Sequence, residues 1–174
     1  MTLSRKGLLL AAVQLAIVLS LGAKLLYDRA VRPRTWARTE NFDPDLPIRG
    51  RYLALTLRVI PEGFSYQPAS QPGASDWWIN RQWGYLSARN HQLVASAQGP
   101  GPGMWIHVQK SPSGEITART EEPVLVFVPE TFQMPPLHPG DEFWVEVTLP
   151  TKGPPRPIRL AINNTSGFTP LHIN

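Results

Sequence analysis

The sequence of 174 residues contains no cysteine. Disulfide bonds and thiolate metal sites are therefore excluded. The missing thiol does not assign a redox compartment, although it is compatible with an oxidising one because nothing can mispair. After residue 35 the chain also lacks any long amphipathic helical pattern. No glycine-rich phosphate loop precedes a helix there, so the folded part offers no helix N-terminus to bind a phosphate group.

Residue types that serve in catalysis are present without the spacing that catalytic sites need. No serine lies in a Gly-x-Ser-x-Gly turn. The histidines are too dispersed for ligands on one element, and we expect each to be a packing or surface residue: His91, His107, His138 and His172. Turn and edge positions account for most of the acidic candidates for a carboxylate pair: Glu121, Glu122, Glu130, Asp141 and Glu142. We therefore predict a protein that is not an enzyme and has no metal site or cofactor.

One long apolar run is present, near the N-terminus. It covers residues 7–23 with two polar positions, and it continues past Lys24 to Tyr27. About 20 apolar residues are enough for a helix to span a bilayer, and a lysine near the end can extend its side chain to the headgroups. We predict a cytoplasmic N-terminus at residues 1–6 and a transmembrane anchor helix at residues 7–27.

Two other interpretations of this run stay open. A signal peptide with small residues at Ser20 and Gly22 would be cleaved before Ala23, and a buried core helix would have similar composition. The short basic segment at Arg5 and Lys6 is typical of an export signal, whereas the larger number of cations after the run favours the opposite orientation. We predict a single-pass protein of the inner (cytoplasmic) membrane, N-terminus inside, with its β domain on the periplasmic or extracellular side.

Charge is distributed unevenly along the chain. Residues 1–38 hold seven Lys or Arg and one Asp, whereas residues 39–174 hold ten Lys or Arg and twelve Asp or Glu. The basic excess therefore lies beside the predicted membrane helix. It is either a site for anionic headgroups or ordinary flanking charge. Because the folded part is slightly acidic, we expect no binding to nucleic acid.

The remainder of the chain has the pattern of short β-strands. Between residues 52 and 59 every second residue is aliphatic, which predicts a strand with one buried face. Glycine turns and many of the 19 prolines separate further predicted strands at residues 85–89, 92–97, 104–109, 116–119, 124–128, 142–149 and 157–162.

We predict a mainly β chain in which the N-terminal transmembrane helix is followed by an all-β sandwich or barrel-like domain. An extended, proline-containing connector is expected at residues 28–49, the β domain at residues 50–162, and a loose C-terminal tail at residues 163–174. The alternating glycines and prolines of residues 99–103 are interpreted as a linker.

Tryptophan is concentrated after a loop at residues 61–76. Trp77, Trp78 and Trp83 follow that loop, and Trp105 lies in a later predicted strand. The first three fit a core cluster, a binding patch or a membrane-facing rim. Together with Trp105 they are the candidate platform on which a small molecule or a glycan would stack.

The segment at residues 47–57 resembles the signature of the GDYXXLXY family, in which Gly-Asp-Tyr-x-x-Leu-x-Tyr follows an N-terminal anchor. The matching positions are Gly50, Tyr52 and Leu55. Arg51 stands where the family has Asp, and Leu57 where it has the last Tyr. A turn followed by a strand explains the glycine and the tyrosine without any function.

Two further segments extend the resemblance, namely Asp43-Pro44 upstream and Val128-Pro129-Glu130 downstream. The family consists of membrane-anchored proteins of uncharacterised function that are often encoded beside multi-pass membrane proteins. The resemblance therefore implies a membrane partner of that kind, and it transfers no catalytic residue.

Two hypotheses about function follow. In the first, the chain is a non-enzymatic interaction subunit of an envelope membrane protein. In the alternative, it is a periplasmic domain that binds a small molecule or a glycan through its tryptophans. An enzyme of unknown type would require a cluster of titratable groups in one deep pocket.

Overall fold

The computed structural model describes residues 5–43, 51–68, 77–129, 131–132 and 137–171. The chain divides into two compact units, Met1–Arg32 and Pro33–Asn174. Within the described ranges the first contains one helix, and the second, called the β domain below, contains ten strands. Strands make up 51% of the chain, which confirms the predicted mainly β class.

The N-terminal unit contains helix α1, Arg5–Val31. Within it, Lys6–Tyr27 is long and apolar enough to cross a membrane, with a mean hydropathy of 2.1, and its side chains are exposed throughout. The hydroxyl of Ser20, a polar group inside this stretch, donates to the carbonyl of Ile17 at 2.8 Å. Pro33 lies two residues beyond the helix, where it prevents continuation. Such a helix is compatible with a membrane anchor or a signal sequence.

The β domain is built from ten strands that follow in chain order. They are β1 Arg34–Asp43, β2 Arg51–Glu62, β3 Arg81–Arg89, β4 Gln92–Ser96, β5 Gly103–Lys110, β6 Ile116–Thr120, β7 Val124–Val128, β8 Glu142–Thr148, β9 Arg156–Asn164 and β10 Gly167–Leu171.

Six of these strands close into a barrel in the order β1, β4, β3, β5, β6 and β2, with β2 pairing back to β1. β8, β9 and β10 extend outward from β1, and β7 pairs with β2. Neighbouring strands are antiparallel except where β4 runs parallel to β1 and to β2. The prediction of an all-β sandwich or barrel-like domain is confirmed.

β2 shows why this sequence folds as a barrel. Its aliphatic residues at alternate positions are buried as the period of two predicts: Leu53, Leu55, Leu57 and Val59. The strand is 12 residues long, so its two halves can have different neighbours. The first half pairs with β1 and β7, and the second with β6 and β4. One strand therefore joins the two sides of the core.

The predicted connector at residues 28–49 is corrected by the structure. Residues 28–31 belong to α1, and residues 34–43 form β1, which pairs with β2, β4 and β8. The inward positions of β1 are Thr35, Ala37 and Thr39, all buried. These small or polar side chains give no aliphatic alternation, and so the strand was missed. Residues 44–50 lie outside the described residues.

The predicted end of the domain is also corrected. The expected loose tail at residues 163–174 contains the last two residues of β9 and the whole of β10. β10 pairs with β9 along its full length, from Gly167 opposite Asn164 to Leu171 opposite Leu160. A short strand with one proline and little aliphatic content carries a weak sequence signal.

A polar pair lies on the outer face of β8 and β9. Glu146 is buried, and the Nε–H of Arg159 donates to its carboxylate at 2.7 Å. This hydrogen bond, reinforced by the attraction between the two charges, raises the pKa of the Arg159 guanidinium. Because the pKa of this cation is raised on folding, the stability that the pair contributes is not lost until the pH rises through the arginine range. The pair therefore holds through neutral pH.

Candidate functional site

The register of β3 against β5 places two of the four candidate residues directly opposite each other. Trp83 lies directly opposite Trp105, and Arg81 lies opposite His107. Since alternate residues of a strand share a face, these four side chains project from the same outer face of the barrel. Trp78 is added to them by the turn at residues 77–80, which precedes β3.

Trp78, Arg81, Trp83 and Trp105 form what we call the aromatic surface. The rings of Trp83 and Trp105 meet edge to face, with their centroids 5.2 Å apart. The guanidinium carbon of Arg81 lies 4.0 Å from the centroid of the Trp105 ring and 6.0 Å from that of Trp78. Trp78 is 71% exposed and Trp83 is 46% exposed. Of the three interpretations given to the tryptophan cluster, the core cluster does not apply to Trp78 or Trp83, because solvent reaches their rings.

Arg81 is held in this position by a carboxylate. Its Nε–H donates to Glu121, at the end of β6, at 2.5 Å. The ion pair offsets the charge of the guanidinium and fixes the plane that lies over Trp105. The aromatic surface is consequently an ordered, nearly neutral patch of ring faces and one oriented arginine.

Trp77 contacts a different set of residues. Its ring stacks on the imidazole of His107 at 3.7 Å between centroids, and the guanidinium carbon of Arg119 lies 5.1 Å from its centroid. His107 is buried beneath it. Trp77 therefore covers His107 on the barrel wall and is half-buried there, as Trp105 is.

Two contacts that sequence reasoning missed position the aromatic surface. Asn80 is fully buried, and its side-chain amide exchanges two hydrogen bonds of 2.8 Å with the backbone of Gln67. These bonds fix the turn that carries Trp78. Gly103 lies directly under the Trp83 ring, where an added Cβ would come within 2.7 Å of it. Gly103 pairs with Tyr85, two positions along β3 from Trp83, so this contact follows from the strand register and not from a local sequence pattern.

The family-signature positions are divided between two faces of β2. Leu55 is in the core, whereas Tyr52 is half-buried on the outer face, edge to face with Phe127 at 5.4 Å. Gly50 and Glu130 lie outside the described residues. The described part of the motif thus has a packing role and contacts none of the aromatic surface.

The described histidines are dispersed. His91 lies in the turn between β3 and β4, and His138 closes a turn in which its backbone N–H donates to Asp141 at 2.9 Å. His172 lies outside the described residues. Within the described ranges no three His, Asp or Glu side chains are grouped so as to hold a metal ion.

Comparison with known proteins returns no match for this chain among protein-family models, curated proteins or solved structures. The site must therefore be interpreted from its own geometry.

Proposed function

We propose that this chain is a membrane-anchored, non-enzymatic recognition subunit whose β domain binds another membrane protein through the aromatic surface. One observation carries the proposal: Trp78 and Trp83 are exposed while Arg81 and Trp105 hold an ordered patch beside them. Tryptophan and arginine are the residues most enriched among those that dominate binding energy at protein interfaces. Exposing such rings to water has no benefit for folding alone.

The membrane location is part of the same proposal. α1 is apolar on every side over Lys6–Tyr27, which favours a retained anchor in the inner membrane. The basic residues before it favour a cytoplasmic N-terminus, with the β domain on the periplasmic or extracellular side. The resemblance to the GDYXXLXY family suggests a multi-pass membrane protein as the partner.

Crosslinking and affinity capture from native membranes test the proposal. We expect the full-length chain to return one multi-pass protein reproducibly, and Trp78→Ala and Trp83→Ala to lose most of it, because each removes an exposed ring. Phe127→Ala is the matched control, since Phe127 is 56% exposed on β7 and lies outside the aromatic surface. Capture without any reproducible membrane protein, or an equal loss in the control, would contradict the proposal.

A second candidate function uses the same residues. The open ring faces of Trp78 and Trp83 favour stacking of a sugar or another small molecule. In this case tryptophan fluorescence is expected to be quenched in a saturable way by one member of a panel of glycans and metabolites. A flat response across the panel, together with successful capture of a protein partner, assigns the surface to protein recognition.

A further inference from the structure

A cavity of about 560 Å³ opens on another part of the β domain, where β1 and β2 diverge. The two strands are paired at Thr39 and Leu57. Beyond that pair the two strands separate, and β4 lies between them. It pairs with β1 at Trp36 and with β2 at Ile60. We call this space the fork cavity. Its volume is in the range of sites that enclose small molecules.

The two sides of the fork cavity are apolar. On the β1 side lie Trp36 and Trp144, which share a face because Trp144 pairs with the residue two positions from Trp36. Phe168 of β10 packs edge-on against both rings, with centroids at 4.7 Å and 6.1 Å, and keeps them in place. On the β2 side lie Ile60 and Ile116, which are 43% and 38% exposed. A flat apolar body placed between these sides would cover all four.

One ion pair lines the fork cavity, and both of its charges already have partners within the protein. Arg38 and Glu142 are 2.8 Å apart. The same carboxylate accepts hydrogen bonds from the Trp144 indole at 3.1 Å and the Asn163 amide at 3.5 Å. Glu142 therefore has donors on both oxygens, and Arg38 has an opposite charge at close range. This pair supports the wall and offers little to a ligand.

Arg58, which also lines the cavity, has a weaker ion pair than Arg38. Among the described residues its nearest carboxylate is that of Glu40, at 3.9 Å, and Glu40 also accepts a hydrogen bond from Arg119 at 3.3 Å. One negative charge is thus shared between two guanidinium groups, and Arg58 is the more distant of the two. Its side chain is 35% exposed and lines the cavity. An anionic oxygen arriving there would gain a charge-assisted hydrogen bond.

We propose that the fork cavity binds a small anionic ring compound, with a flat aromatic or alicyclic body between the tryptophan and isoleucine sides and a carboxylate or phosphate on Arg58. The remaining acidic lining residue, Glu115, lies exposed at the start of β6. Solvent there screens its charge, so the anion preference is set by Arg58. This site is independent of the aromatic surface.

Calorimetric titration of the full chain in a neutral detergent tests the site, with 2-naphthoate and 2-naphthyl phosphate as anionic probes. Neutral 2-naphthamide and cationic 2-naphthylmethylammonium are the matched comparisons. We expect at least one anion to bind about tenfold more tightly than the amide, the effect of one charge-assisted hydrogen bond. Equal binding of all four probes, tighter binding of the cation, or no saturable binding would overturn the proposal.

Variants locate the site. Arg58→Gln should remove the tenfold preference for the anion and leave the affinity for naphthamide unchanged. A general loss of structure would weaken the binding of both probes. Ile116→Asp places a negative charge on the partly exposed β2 side, so it should weaken anion binding by about tenfold as well. Arg156→Gln is the control, because Arg156 is an exposed arginine of β9 that does not line the cavity.

Two results would assign binding elsewhere. If Arg156→Gln weakens anion binding as much as Arg58→Gln does, the loss of affinity comes from the overall charge of the protein and the proposal fails. If Trp78→Ala abolishes probe binding while Arg58→Gln does not, the aromatic surface is the site. Loss of the captured membrane partner by Trp78→Ala with naphthoate binding intact would support both sites separately.

Discussion

Gly101 lies where the chain between β4 and β5 crosses Leu86. Its φ is +135°, and a Cβ added there would overlap the carbonyl oxygen of Leu86. The backbone N–H of Leu86 in turn donates to Pro102 at 3.0 Å. The stretch interpreted as a linker therefore makes a close backbone crossing, and glycine is needed at one position in it.

Replacing Gly101 by alanine should lower the free energy of unfolding by about 3 kcal/mol. Of this, about 1 kcal/mol is backbone strain and about 2 kcal/mol is steric overlap with an atom that cannot move aside. Gly99 is the matched control, since its φ is +148° and open space surrounds it. Gly99→Ala should cost about 1 kcal/mol, from strain alone. Urea unfolding followed by circular dichroism measures both, and equal losses would contradict the assigned contact.

At the scale of the element, α1 differs from every strand of the β domain because its apolar side chains are exposed along its whole apolar stretch. Burial in lipid removes this area from water, at about 0.8 kcal/mol for each CH₂ group. A signal peptide has the same composition, so the distinction depends on whether the chain is cut before Ala23.

We expect the helix to be retained. The intact mass of the protein purified from membranes should include residues 1–22, and the protein should stay in the membrane fraction at alkaline pH, because the apolar stretch continues past the candidate cleavage site to Tyr27. A chain lacking residues 1–32 is the control and should be found in the soluble fraction. A mature protein that begins at Ala23 would assign a signal peptide instead.

For the molecule as a whole, β1 is the strand on which closure depends. It pairs with β2 on one edge and with β8 on the other, and it meets β4 at Trp36. Ala37 belongs to the core cluster, and the Thr39 hydroxyl donates to the carbonyl of Phe143 at 3.1 Å. Among the described strands, β1 is the one that joins the β8–β10 extension to the barrel by hydrogen bonds.

Two truncated chains test this dependence. A chain starting at residue 33 should fold and unfold in one cooperative transition, since it contains all ten strands. A chain starting at residue 50, the expected start of the β domain, lacks β1 and should expose its core. Near-ultraviolet circular dichroism and urea unfolding report the difference. A shorter chain with the same transition would show that β1 is dispensable.

How much of this fold the sequence predicts depends on which side chains face inward. β2 was predicted because aliphatic residues alternate along it, as Leu53 and Leu55 do, whereas β7 was predicted as a short apolar run between turn signals. β1 was missed because a threonine and an alanine can fill an inward position wherever a larger neighbour packs over them. The transmembrane-length helix was predicted from composition and length, with ends that differ by two and four residues.

The candidate site was predicted only as a set of residues. The clustering of Trp78 and Trp83 was visible in the chain, but their contact with Trp105 depends on the register of β3 against β5. The sequence gives no sign of the fork cavity. Its lining residues Trp36, Arg58 and Trp144 are distant in sequence and come together only when three strands have paired. Local sequence patterns indicate whether a segment forms a helix or a strand. They indicate little about which distant segments become neighbours in the fold.

The position of β1 has a consequence for synthesis. Ribosomes make the chain from its N-terminus, so the strand that closes the barrel is the first to be made, and its contact with β8 spans 104 positions. At about 5–20 residues per second, β1 waits on the order of 5–20 s for that neighbour. During this interval its unpaired edge is open to association with other chains. Successful production of this protein therefore depends on what protects one nascent strand until β8 has emerged.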